Sequence, residues 1–112
     1  MQRGEIWLVN LDPTIGSETR KTRPAVIVSS DLVGVLPLKI IVPFTEWKER
    51  YAQAPWMVKI DPDPQNCLAK PSAADALQIR SVPQQRLVQK LGVLSPIQVA
   101  KIVQAVMVTL QR

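Results

Sequence analysis

Apolar residues arrive along this chain in short bursts separated by polar and proline-rich stretches, and only the last burst is long enough to make a helix. Ile6-Trp7-Leu8-Val9 is β-branched and aromatic and is stopped by Asp12-Pro13, which predicts a strand over residues 4–10. A second strand is expected over 24–29 (Pro-Ala-Val-Ile-Val-Ser) and a third over 38–45 (Leu-Lys-Ile-Ile-Val-Pro-Phe-Thr). Residues 56–60 alternate with period two and run into Asp61-Pro62-Asp63-Pro64, a fourth strand ending in a stiff turn. Short strands over 72–77 and 78–82, a turn over 83–86 and a strand over 89–93 follow. The linkers are too short for the dozen or so residues of a parallel crossover, so the sheet is expected to be antiparallel.

The final segment changes period. Ser95-Pro96-Ile97-Gln98 combines an N-cap serine, proline at the first helical position and a glutamine placed to complete a capping box. After it, Val99, Val103, Val106 and Leu110 follow 4-3-4 spacing, the apolar stripe of a helix lying on a core. These elements predict a mainly β fold, a small, strongly bent antiparallel barrel closed by a C-terminal helix, formed by one domain over 1–112 with no internal repeat.

Composition narrows the chemistry. The chain has 112 residues, 46% hydrophobic and 21% charged, a globular mixture. Its net charge of +5 favours a polyanionic partner, with nucleic acid ahead of others, although a basic surface on its own is equally consistent with simple solubility. One cysteine, Cys67, excludes an intramolecular disulfide and suits a reducing cytoplasm. Neither a signal peptide nor an apolar run near the roughly 20 residues of a membrane span is legible. The absence of histidine removes the usual general base and the commonest zinc ligand together, so no metal site and no cofactor are expected. Residues 12–22 form a long polar stretch with Pro13 and Gly16, expected as a functional loop.

Arg3-Gly4-Glu5-Ile6-Trp7-Leu8-Val9-Asn10-Leu11-Asp12-Pro13-Thr14-Ile15-Gly16-Ser17-Glu18, then Thr22-Arg23-Pro24-Ala25-Val26-Ile27-Val28-Ser29, closely resembles the N-terminal half of MazF/PemK toxins. The resemblance continues through Val42-Pro43-Phe44-Thr45 and Gln78-Ile79-Arg80-Ser81 to the terminal helix. It implies an SH3-like barrel of the CcdB/MazF toxin type, a homodimer that cleaves single-stranded RNA (mRNA) at short sequence motifs and is silenced by a cognate antitoxin protein. By the same resemblance Arg23 and Thr45 are the catalytic pair. The loop before the arginine, Ser17, Glu18, Thr19, Arg20 and Lys21, maps to RNA binding together with Gln78 and Arg80. The chain departs from many relatives at Leu77, where they carry an aspartate; its nearest carboxylate there is Asp75.

The chemistry is coherent on its own terms. Cleavage of RNA by its own 2'-hydroxyl needs a proton acceptor, stabilisation of charge on the phosphorane, and protonation of the leaving oxygen. An arginine fork matches phosphate oxygens and stays charged near neutral pH, which suits Arg23 to the second task. Thr45 is placed to donate a hydrogen bond to a nonbridging oxygen, and Glu18 and Arg23 compete for the role of proton carrier. By analogy with the family, the products are a 2',3'-cyclic phosphate and a 5'-hydroxyl. Trp47, Trp56, Phe44 and Tyr51 are candidates to stack on splayed bases, with core or dimer contacts as the plainer role of the tryptophans. Arg23 and Thr45 taken singly would be an ordinary surface charge and a strand-end threonine. Two other functions fit the same fold: a non-hydrolytic, CcdB-like toxin that binds DNA gyrase, and a non-catalytic SH3-like binding module.

Overall fold

A computed structural model of the chain describes residues 1–12 and 22–111. Among the described residues, seven strands, β1 (Glu5–Asn10), β2 (Thr22–Ile27), β3 (Leu38–Glu46), β4 (Met57–Ile60), β5 (Ser72–Asp75), β6 (Arg80–Pro83) and β7 (Leu87–Val93), precede one α-helix, α1 (Pro96–Leu110). All the strand pairings are antiparallel, in the order β4-β5-β3-β2-β1-β7, with β6 also on β3. The fold is the mainly β, helix-closed one that the apolar pattern predicts.

β3 organises the sheet. One edge pairs with β2 over Ile41 to Pro43, and the other pairs first with β6 over Leu38 to Ile41 and then with β5 over Phe44 to Glu46. Pro43, which has no N–H to give to a ladder, falls between the β6-paired and β5-paired stretches. Opposite that gap the chain from β5 to β6 steps outward in a 3-10 turn, Ala76–Gln78, capped by the Asp75 side chain accepting from Leu77 N–H at 3.2 Å. The two strands expected over 72–77 and 78–82 are therefore β5 and β6 with this turn between them, and Gln78 stands in the turn rather than in a strand.

The sheet curls but leaves β4 and β7 without a shared ladder. The seam is tied where Val93 N–H donates to the Gln65 carbonyl at 2.9 Å. There Gly92 lets the backbones approach: a Cβ on it would lie 2.5 Å from the Asn66 carbonyl oxygen and 2.6 Å from that of Gln65. Asn66 is fully buried, donates Nδ2–H to the Asp61 carbonyl at 2.9 Å, and accepts at Oδ1 from the N–H groups of Asp63 (3.1 Å) and Leu68 (3.0 Å). The stiff turn expected after β4 is thus built around one buried amide.

Two apolar clusters lie on opposite faces of the sheet, one around Ile6, Val26, Val42 and Phe44 under α1, the other around Val9, Ala25, Ile27, Ile41 and Val82. α1 begins as its sequence predicts, with Ser95 Oγ accepting from Gln98 N–H and Gln98 Oε1 accepting from Ser95 N–H. Its buried residues are Val99, Ile102 and Ala105, with Val103 and Val106 packed beside them, whereas Leu110 is 76% exposed. The expected stripe is displaced because this helix is apolar on more than one side, and spacing alone does not choose between them. Among the described residues, no helix is long and apolar enough to cross a membrane.

Candidate active site

Arg23 stands in β2 immediately before Pro24, and the residue before a proline is confined to extended backbone, which sets the face of the strand from which its side chain leaves. It is paired with Val9 across β1 and is half-buried. Thr45, also half-buried, lies near the end of β3. The last cross-strand pair of β2 and β3 is Ala25 with Pro43. Arg23 and Thr45 stand two residues beyond that pair on their own strands, so the alternation of side chains puts both on the face that Ala25 and Pro43 define.

They border one cavity of about 210 Å³, whose other lining residues are Pro24, Phe44, Glu46, Lys70 and Ser72. Sequence reasoning missed Glu46, Lys70 and Ser72. Glu46 adjoins Thr45 in sequence and was within reach of inspection; Lys70 and Ser72 arrive only through the β3–β5 ladder, in which Glu46 pairs with Ser72. Lys70 Nζ lies 3.4 Å from Glu46 Oε2, both side chains more than half exposed, so the pair adds little stability and is free to exchange partners. The cavity thus carries a guanidinium, an ammonium, a carboxylate and two hydroxyls.

The remaining expectations divide. Gln78 and Arg80 are half-buried and do not line the cavity; Arg80 pairs with Ile41, four residues back along β3 from Thr45, or about 13 Å at the usual strand rise. Glu18 and the loop residues Ser17, Thr19, Arg20 and Lys21 lie outside the described residues. Phe44 is only 2% exposed and packs in the core under α1, so it offers no face to a base, contrary to expectation. Trp47 and Tyr51 are half-buried and Trp56 is 36% exposed. Asp75, the carboxylate nearest the segment where relatives carry an aspartate, caps the turn bearing Gln78. Burial raises its pKa above the ordinary aspartate value, against the opposing hydrogen bonds from the backbone of Leu77 and Gln78. Among the described residues no group of three or more His, Cys, Asp or Glu side chains stands together as metal ligands would.

The described residues thus form a bent antiparallel sheet closed by one helix, with an arginine and a threonine of adjacent strands bordering one polar cavity. Residues 2–110 match the family described as the PemK-like, MazF-like toxin of type II toxin-antitoxin systems, and the chain belongs to that family. It is 34% identical over 111 residues to endoribonuclease MazF9 of Mycobacterium tuberculosis, covering 94% of this chain and 92% of that one. Over 62 residues it is 44% identical to endoribonuclease PemK of Escherichia coli, covering 54% of this chain and 47% of that one. Among solved structures it is similar to MazF from Deinococcus radiodurans, with a TM-score of 0.80 and 21% identity over 98% of this chain and 96% of that one. It is also similar to a mycobacterial endoribonuclease solved in complex with its cognate antitoxin, with a TM-score of 0.76 and 21% identity over 98% and 94% of the two chains. These structures share the CcdB/MazF-like fold with this chain.

Proposed function

We propose that this protein is a single-domain, cytoplasmic toxin that cuts single-stranded RNA, mRNA above all, at a short sequence without a metal ion. One observation carries the reading: Arg23 and Thr45, from different strands, border the same cavity. Its supports are the family and the named activity of the relative that matches nearly the whole chain.

In the reaction the 2'-oxygen attacks the adjacent phosphorus, its proton passes to an acceptor, and the 5'-oxygen departs with a proton, leaving a 2',3'-cyclic phosphate and a 5'-hydroxyl. The Arg23 guanidinium pairs with the nonbridging oxygens as charge builds on them, and the Thr45 hydroxyl donates to one of the same oxygens. Glu18 and Arg23 are the candidate proton carriers; Glu46 joins them because it borders the cavity. The RNA is held by the loop residues Ser17, Thr19, Arg20 and Lys21 and by Gln78 and Arg80. A second copy of the chain and a cognate antitoxin complete the assembly. In support, apolar side chains are exposed at Leu32, Val35, Leu36, Leu38 and Ile40 around the start of β3, and on α1 at Ile97, Met107 and the C-terminal Leu110.

The test is incubation of the purified protein with mixed-sequence RNA in EDTA. Discrete fragments ending in a cyclic phosphate, lost in Arg23→Ala, are expected. Intact RNA together with inhibition of DNA gyrase would replace this reading with the CcdB-like one.

A further inference from the structure

The strand that delivers Thr45 continues into an aromatic and cationic cluster for which the cleavage step has no use. Trp47 lies two residues beyond Thr45, and its N–H donates to the Pro71 carbonyl at 3.1 Å, carrying the β3–β5 pairing past the formal end of β3. Extended backbone alternates its side chains, so Trp47 leaves on the same face as Thr45. Across the sheet Thr45 is opposite Ala73 and Ala73 is opposite Lys59, which puts Lys59 on that face two strand spacings away, about 10 Å. Lys59 Nζ lies over the Trp47 ring, 5.4 Å from its centroid. Tyr51 meets Trp47 edge-on with centroids 5.9 Å apart, and the Arg50 guanidinium lies 5.4 Å from the Tyr51 ring.

This cluster is poorly explained as scaffolding. The 3-10 segment Glu49–Gln53 that carries Tyr51 has no buried residue, and Lys59 is 44% exposed with only a 4.0 Å approach to Asp61. An exposed cation over an aromatic ring shifts an equilibrium by roughly 2- to 5-fold, whereas a nucleobase stacked on a protein aromatic shifts it by roughly 5- to 150-fold. A base therefore displaces the ammonium from the ring, and the displaced ammonium is then free to take up the phosphate of the same nucleotide.

We propose that Trp47 and Lys59 form a nucleotide subsite beside the cleavage cavity, in which one base flanking the scissile phosphate stacks on Trp47 and a neighbouring phosphate pairs with Lys59. The subsite deepens the RNA-cleavage reading and rests on it. It makes base stacking one wall of substrate selection, on the opposite side of Thr45 from Gln78 and Arg80.

The experiment uses the sequence that the wild-type protein cleaves, prepared with a 2'-deoxy residue at the scissile position so that it binds intact. Binding of the dye-labelled oligonucleotide is followed by anisotropy for the wild type, Trp47→Ala, Trp47→Phe and Lys59→Met. Trp47→Ala is expected to weaken binding by about 5- to 150-fold. Trp47→Phe should recover most of the affinity, and Lys59→Met should lower the salt slope by about 0.7, one single-strand phosphate contact. One abasic position in the oligonucleotide should abolish the difference between wild type and Trp47→Ala. Equal binding by Trp47→Ala, or a loss that no abasic position removes, overturns the subsite while RNA cleavage stands. A wild type that cuts no RNA overturns the parent reading and the subsite with it.

Discussion

Replacing Asn66 by alanine tests whether the turn after β4 is held by a single amide. The side chain is 0% exposed and makes three hydrogen bonds to the backbone of its own turn, one donated to Asp61 and two accepted from Asp63 and Leu68. Truncation strands two N–H groups and one carbonyl. A buried polar group without a partner costs about 1–3 kcal/mol, and because Asp61 and Leu68 retain some contact with water the lower end applies, giving about 3 kcal/mol in all. That is a large part of the roughly 5–15 kcal/mol of a typical domain, and it predicts a fall in melting temperature of about 10–20 °C. Urea unfolding followed by tryptophan fluorescence should show a lower midpoint at an unchanged m value. Asn66 does not line the cavity, so well below its melting point the variant should cut RNA at the wild-type rate. A loss under about 1 kcal/mol would refute the assignment of those three bonds as the holding interaction, and full stability with lost activity would refute the separation of scaffold from site.

Thr45→Val keeps the shape and suits a strand, so it should leave unfolding almost unchanged while lowering kcat by about 10²–10³, the usual effect of removing one donor to a developing oxyanion; an effect confined to KM would contradict that role. Gly92→Ala drives a methyl group into two backbone carbonyls at the sheet seam and should destabilise by about 1–3 kcal/mol, the usual cost of overpacking, as read by thermal melting. The pKa of Asp75 is raised in the folded state, so its favourable contribution is complete below the unfolded value of 3.8 and is lost as pH rises through the folded value. Asp75→Asn keeps an oxygen to accept from Leu77 and should therefore stabilise the protein at pH 7, with the gain vanishing in melts below pH 3.8. Sedimentation equilibrium should give about twice the 12.5 kDa chain mass; a single-chain mass at micromolar concentration would remove the dimer.

β1, β3 and β4 were legible because each is a short apolar run rich in β-branched residues, and the capping box of α1 was legible because its two residues, Ser95 and Gln98, are local. What escaped depended on partners distant in sequence. β5 and β6 look like consecutive strands along the chain, but only the gap at Pro43 of β3 explains why Ala76–Gln78 turns out of the ladder. The start of β3 inverts the expected burial, with Lys39 5% exposed and Leu38 and Ile40 at 45% and 40%, since the apolar side chains there lie beyond the cover of α1. In the candidate site, Arg23 and Thr45 were legible through resemblance and then fell on one cavity. Lys70 was not, because a lysine 25 residues beyond Thr45 carries no local mark of the ladder that brings it back.

β3 is one unbroken strand that serves β2 on one side and β6 and β5 in succession on the other. Thr45 lies near the end of this strand, held by its pairing with Ala73 of β5, and the segment 47–56 leads directly away from it like a shutter from a lintel. On the proposed reading, drift in that shutter changes which bases are admitted while the β2–β3 ladder from which Arg23 and Thr45 extend stays as it is. A family built on this beam is equipped to diversify its target sequences while the cutting chemistry stays in place.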